Sequence, residues 1–136
     1  MHVLGKGHRL KAVLVEDSPA FRQLIAIYLE GLGLEVEQIS EGKTAIERIP
    51  GLAPDLICLD LMLPQYSGYE ICEHIRKIPA LRNTPVLFMS SRSDPTDRAH
   101  AEEAGGNAYL VKPFTHAQFV SEVVGLLPEL ALVLDQ

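Results

Sequence analysis

No stretch of this chain approaches the 18 or more unbroken apolar residues of a membrane-crossing helix. The amino-terminal MHVLGKGHRLKAVLVED holds only Ala12 to Val15 as an apolar core, too short for a secretory signal. Basic residues are scarce: 12 Lys and Arg stand against 18 Asp and Glu, for a net charge of −6. That balance disfavours nonspecific binding to nucleic acid or anionic membranes, which needs a basic field. Cysteine is reduced to two, Cys58 and Cys72, each inside an apolar segment, which reads as buried free thiols. The five histidines fall at no metal-ligand spacing with those cysteines, which excludes a zinc site. Internal repeats and low-complexity tracts are also missing. The expectation is a cytoplasmic protein with no membrane partner and no direct nucleic-acid partner.

What is present suits one globular domain. The 136 residues are 47% hydrophobic and 22% charged, enough to bury roughly two thirds of the unfolded surface in a single core. Short apolar runs alternate with helical patterns. LKAVLVE reads as a strand, and DSPAFRQLIAIYLEGLG as a helix with Ser18 as N-cap and Pro19 in the first turn. Its inward stripe is Phe21, Leu24, Ile25, Tyr28, Leu29 and Leu32, and Gly31 and Gly33 stop it. EVEQI alternates as an edge strand does. A short helix over residues 43–49 follows, ended by PGLAP. DLICLDL and TPVLFMS are apolar on both parities, as strands covered on both faces of a parallel sheet are. SGYEICEHIRKI, SDPTDRAHAEEAGG and THAQFVSEVVGLL supply further helices, and NAYLV a fifth strand. Five strands alternating with five helices predict a doubly wound α/β sheet.

Ligands of such sheets bind beyond the carboxyl ends of the strands. Glu16 and Asp17 end the first strand, Asp60 the third, Ser90 and Ser91 the fourth, and Lys112 the fifth. Asp60 is the informative one, because it interrupts a run that otherwise reads as core, where an unpaired carboxylate is costly. Three carboxylates on one rim repel: two charges about 4 Å apart cost roughly 4 kcal/mol at an effective dielectric near 20. A divalent cation relieves that cost, and oxygen-only ligands select Mg²⁺ or Mn²⁺. With a lysine and a hydroxyl to contact phosphoryl oxygens, Asp60 becomes a candidate nucleophile for phosphoryl transfer.

At these residues the chain resembles the receiver domain of two-component response regulators, over about residues 10–127. The resemblance is carried by VEDSP, LDLMLPQYSGYE, TPVLFMSS and AYLVKPF, in order, with Ser90 30 residues and Lys112 52 residues after Asp60. It implies a flavodoxin-like (βα)5 three-layer sandwich with strand order 2-1-3-4-5. It implies Asp60 as acceptor of a phosphoryl group from a sensor histidine kinase or a histidine phosphotransfer protein. Glu16, Asp17, Asp60 and the backbone carbonyl of Met62 are then the Mg²⁺ site. Ser90, with Ser91 beside it, and Lys112 are the phosphoryl-contacting groups, and Tyr109 is the switching aromatic. Lys112–Pro113 is implied to be a cis peptide. Output is implied to leave through the fourth helix, fifth strand and fifth helix, toward a partner protein or an effector domain absent from this chain.

Ser90–Ser91 replaces the commoner Thr-Ala but keeps the hydroxyl donor. Met62 and Arg92 occupy the positions that tune loss of the phosphoryl group in similar domains. Met62 cannot orient a water by hydrogen bonding, so a fairly long-lived phosphoform is expected. Three competing motifs fail. EGKT lacks the first glycine of a P-loop, EDSP puts anions where a flavin phosphate would sit, and Met62 replaces the second acid of an aspartate-nucleophile phosphatase. The rival reading is a pseudo-receiver, an interaction module that takes no phosphoryl group; both readings treat the domain as a switch or module rather than an enzyme. Residues 1–9 read as an extension. Residues 128–136, PELALVLDQ, read as an apolar tail, either a homodimer contact or a linker stump.

Overall fold

A computed structural model describes residues 9–130. The expected extension (its residues 1–8) and most of the apolar tail (131–136) lie outside the described residues. Strands β1 (Lys11–Val15), β2 (Glu35–Ile39), β3 (Leu56–Asp60), β4 (Val86–Ser90) and β5 (Ala108–Val111) form one parallel sheet in the order β2-β1-β3-β4-β5. Helices α1 (Pro19–Gly31), α2 (Gly42–Leu52), α3 (Gly68–Arg76), α4 (Pro95–Glu103) and α5 (His116–Leu126) alternate with them. A 3-10 turn at Pro79–Leu81, not anticipated from the sequence, precedes β4.

The two parities of the central strands build two cores. Ala12, Leu14, Cys58, Leu87 and Met89 face α1 and α5 through Ile25, Leu29, Phe119 and Val123. Val13, Val15, Ile57, Leu59 and Phe88 face the other side, against Ala45, Ile49, Ile71, Ile75 and Ala101. Each such Leu, Ile or Phe contributes about 1.5–3 kcal/mol by leaving water. Every residue of β3 and of β4 is buried, as strands covered on both faces must be. Cys58 and Cys72 belong to opposite cores, so they are free, buried thiols. Burial pushes their pKa values up to about 12 and about 11.

Ser18 caps α1 as its position predicts, and α4 and α5 are capped in the same way. The side chains of Ser18, Asp94 and Thr115 accept hydrogen bonds from Phe21, Thr96 and Gln118 N–H at the starts of α1, α4 and α5. Ser67 and Glu70 form a reciprocal capping box on α3. Two expectations need correction. Pro50 does not end α2, which runs to Leu52 and closes with Ala53 in the left-handed region (φ 47°); the proline forfeits one hydrogen bond, while burial of Ala45 and Ile49 holds the helix on the sheet. Leu24 is exposed, as is Ile27, because α1 buries only a narrow stripe centred on Ile25, Ala26 and Leu29. Leu130, just past the expected boundary at 127, is buried in the same core as Leu127.

Candidate functional site

The carboxyl ends of β1, β3, β4 and β5 meet at one edge of the sheet, and the chain turns there deliver the polar groups. β1 leaves the core at Glu16, whose N–H donates to the Ile39 carbonyl (3.0 Å) and whose side chain is 1% exposed. Glu16 Oε2 accepts from the Ser18 N–H (2.9 Å), and Arg22 donates to its carbonyl (2.9 Å), which ties the turn to the first turn of α1. Asp60 ends β3 and is 4% exposed. Its Oδ1 accepts from the Met62 N–H at 2.8 Å. Ligand oxygens of Glu16, Asp17 and Asp60 lie within 4.8 Å of one another.

Lys112 joins them from the end of β5. Its Nζ donates to Asp60 Oδ2 at 2.8 Å and to Glu16 Oε1 at 3.0 Å. The Lys112 N–H donates to the Ser90 carbonyl at 2.8 Å, so the sheet ladder itself sets lysine beside serine. The Lys112–Pro113 peptide bond is cis. Burial, followed by the hydrogen bond with Asp60, raises the Glu16 pKa to about 7, against the lowering effect of Ser18 and Lys112. Burial opposes the charge on Lys112, but hydrogen bonds and charge from Asp60 and Glu16 together hold its pKa above the usual value. The two shifts agree physically: the ammonium faces two carboxylates, whereas Glu16 is fully enclosed and faces a carboxylate as well as the ammonium.

Ser90 is buried, and its Oγ accepts from the Arg92 N–H at 3.0 Å. Tyr109 donates its hydroxyl to the Arg92 carbonyl at 2.8 Å, with the Arg98 guanidinium 5.1 Å from its ring centroid. Ser91 is exposed. Met62 is 54% exposed, and its sulfur lies 3.8 Å from an Arg92 nitrogen.

Two features of the site escaped the sequence. Gly68 permits the close approach of α3 to the end of β3: a Cβ there would lie 2.6 Å from the Asp60 carbonyl oxygen and 2.9 Å from Leu61 Cα. The glycine of SGYE was the available signal. Tyr69 stacks on His100 (3.7 Å between centroids) and donates its hydroxyl toward the Asp97 carbonyl (3.1 Å) and Oδ1 (3.2 Å), while Arg92 pairs with Asp97 at 3.5 Å. These contacts tie α3 to α4 and to the loop after Ser90, and no local sequence pattern announces them.

Buried acids and a lysine thus meet on the rim of a five-stranded parallel sheet of order β2-β1-β3-β4-β5, the doubly wound fold of signal receiver domains. The response regulator receiver domain matches residues 12–124, and the chain belongs to that family. It is 34% identical over 117 residues to the phosphate regulon transcriptional regulatory protein PhoB of Rhizobium meliloti, covering 86% of this chain and 52% of that protein. It is 29% identical to Protein PilG of Pseudomonas aeruginosa, with 88% of each chain covered. The chain spans about half the length of many curated relatives it matches, including transcriptional and DNA-binding regulators. The chemotaxis protein CheY4 of Vibrio cholerae superposes with a TM-score of 0.83 at 25% identity, covering 87% of this chain and 98% of that one. The receiver domain of a Pseudomonas aeruginosa sensor histidine kinase, solved with magnesium coordinated in its active site cleft, superposes at 0.79 with 28% identity, covering 90% and 98%. Among the described residues no helix is long and apolar enough to cross a membrane.

Proposed function

We propose that this chain is a phosphorylation-driven switch in which Asp60 takes a phosphoryl group from a phosphohistidine of a sensor kinase or phosphotransfer protein. The observation that carries this reading is the buried Asp60 carboxylate, 2.8 Å from the Lys112 ammonium and clustered with Glu16 and Asp17. One ammonium offsets only part of the cost of burying these carboxylates, a cost that binding a cation and a phosphoryl group would explain.

Glu16, Asp17 and Asp60 form a hard-oxygen donor set suited to Mg²⁺, or to Mn²⁺ in its place, and the family resemblance adds the Met62 carbonyl to it. When bound, that cation supplies neutralisation of phosphoryl charge and orientation of the donor group. The protein's own residues do the rest. A carboxylate oxygen of Asp60 attacks phosphorus in line; the new P–O bond forms as the P–N bond breaks, and the histidine nitrogen leaves with the electron pair. The Met62 N–H holds Oδ1 and thereby fixes the carboxylate plane. Lys112 transfers its charge-assisted hydrogen bond from the carboxylates to a phosphoryl oxygen, and the Ser90 hydroxyl donates to another.

Recruiting Ser90 pulls on the loop that Arg92 and Tyr109 share, because Ser90 Oγ and the Tyr109 hydroxyl both bind the Arg92 backbone. The face built from α4, β5 and α5 is then the output surface for a partner or effector domain, and residues 10–127 are the switching unit. Met62 and Arg92 set how fast the phosphoryl group is lost. Direct nucleic-acid contact is not assigned to this acidic domain; in the DNA-binding relatives half of the protein lies outside the matched region.

Incubation with Mg²⁺ and acetyl phosphate, read by intact mass, tests the proposal. Uptake of one phosphoryl group by the wild type and none by Asp60→Asn supports it. Equal uptake by both overturns Asp60 as the acceptor, and uptake by neither overturns the proposal in favour of a pseudo-receiver.

A further inference from the structure

The Lys112 ammonium has three donor hydrogens, and the two carboxylates account for two partners. The third side is occupied by an aromatic face: Lys112 Nζ lies 4.2 Å from the centroid of the Phe21 ring. We propose that Phe21 is a positioning residue for phosphoryl transfer, its ring face holding the Lys112 ammonium over the rim where the phosphoryl group arrives. This rests on the reading of Asp60 as the acceptor.

A lysine has a flexible four-carbon stem and a compact charge, so something must fix where that charge sits. In the resting site Asp60 and Glu16 do so, but phosphorylation converts the Asp60 carboxylate into an acyl phosphate and withdraws one of those anchors. The ring does not change during the reaction. An aromatic face attracts a cation through its quadrupole, and more strongly where water is displaced; the Lys112 side chain is only 23% exposed.

The ring is itself held. The Phe21 N–H donates to the Ser18 hydroxyl at the start of α1 (3.4 Å). Phe114, two residues after the lysine, meets the Phe21 ring edge-on at 5.8 Å and 74°. Phe114 in turn stacks at 5.8 Å on Phe119, which is fully buried in α5. Lys112 is thus bracketed by an aromatic support reaching from α1 to α5, on the sheet face opposite Tyr109 and α4. An aliphatic residue at 21 would fill space without offering a π face.

Phe21→Leu and Phe21→Tyr separate the two roles, since leucine keeps apolar bulk and tyrosine keeps the ring. With acetyl phosphate at saturating Mg²⁺, Phe21→Leu is expected to slow phosphoryl uptake about three- to tenfold, and Phe21→Tyr to stay within about twofold of wild type. In the metal-free proteins, NMR is expected to show ring-current shifts of the Lys112 side-chain protons in wild type and Phe21→Tyr, and their loss in Phe21→Leu. Equal slowing of both variants, or no slowing of Phe21→Leu, overturns the positioning role. Absence of the ring-current shift from wild type overturns it whatever the rates. Should the shift be present while wild type takes up no phosphoryl group, the reading of Asp60 fails and the positioning role falls with it.

Discussion

Raising the pH of the metal-free protein removes the proton that lets Glu16 tolerate its burial. Its pKa is about 7 in the folded chain, against an ordinary 4.5, chiefly because burial disfavours the carboxylate. A group whose folded pKa is raised contributes stability that is fully present below its unfolded value and is lost as pH climbs through the folded one. The window is therefore pH 4.5 to about 7. At about 1.4 kcal/mol per pH unit the whole window is worth roughly 3 kcal/mol, and the part between pH 5.5 and 8 about 2 kcal/mol. Lys112, whose pKa is also raised, loses its contribution only above the ordinary lysine value of 10.5, outside this range. For a domain of this size about 2 kcal/mol lowers Tm by on the order of 6–10 °C. Thermal unfolding in chelator, from pH 5.5 to 8, is expected to show that fall in the wild type and a much flatter profile in Glu16→Gln. The same histidines are present in both proteins, so the difference between profiles isolates Glu16. Adding Mg²⁺ at about a hundred times its Kd is expected to restore about 2.7 kcal/mol at pH 8. Parallel profiles for the two proteins would refute the burial argument.

Gly68→Ala is expected to destabilise the fold by about 1–3 kcal/mol, because the added methyl meets backbone at both Asp60 and Leu61 rather than a movable side chain; an unchanged urea midpoint would count against it. Tyr69→Phe removes the hydroxyl that reaches Asp97 and is expected to cost about 1 kcal/mol in urea unfolding. Loss of the phosphoryl group, timed after removal of the donor, is expected to be slow, since exposed Met62 presents a sulfur rather than a hydrogen-bonding group beside Arg92; decay within a few seconds would contradict this.

The parts of the molecule that follow from short-range rules were legible in the sequence. Strands β3 and β4 are apolar on both parities because helices cover both faces, and Asp60 stands out only against that background. Ser18, Asp94 and Thr115 cap helices through their own chain neighbours. What was hidden depends on partners distant in sequence. Leu24 and Tyr28 look alike on a helical wheel, yet Leu24 is exposed while Tyr28 meets α5, edge-on to His116 and tilted against Phe119. Phe21 reads as one more inward residue of α1, and its second role beneath Lys112 exists only once β5 is in place. Tyr69 and Asp97 are 28 residues apart.

With Asp60 as the proposed acceptor, the energetics of switching follow from what Lys112 is already doing at rest. Its ammonium is bound to two carboxylates before transfer, so a new bond to a phosphoryl oxygen is an exchange rather than a pure gain. Only contacts that differ between the two states move the equilibrium. One additional negative charge about 4 Å from a cation is worth about 4 kcal/mol at an effective dielectric near 20. That shifts an equilibrium roughly 900-fold, from about 30:1 against the active arrangement to about 30:1 in favour of it. A resting domain held much further toward the inactive side than about 30:1 could not be fully switched by one such charge. The Tyr69–Asp97–Arg92 contacts, each an ordinary hydrogen bond or a half-exposed ion pair, are weak enough to leave it within that reach.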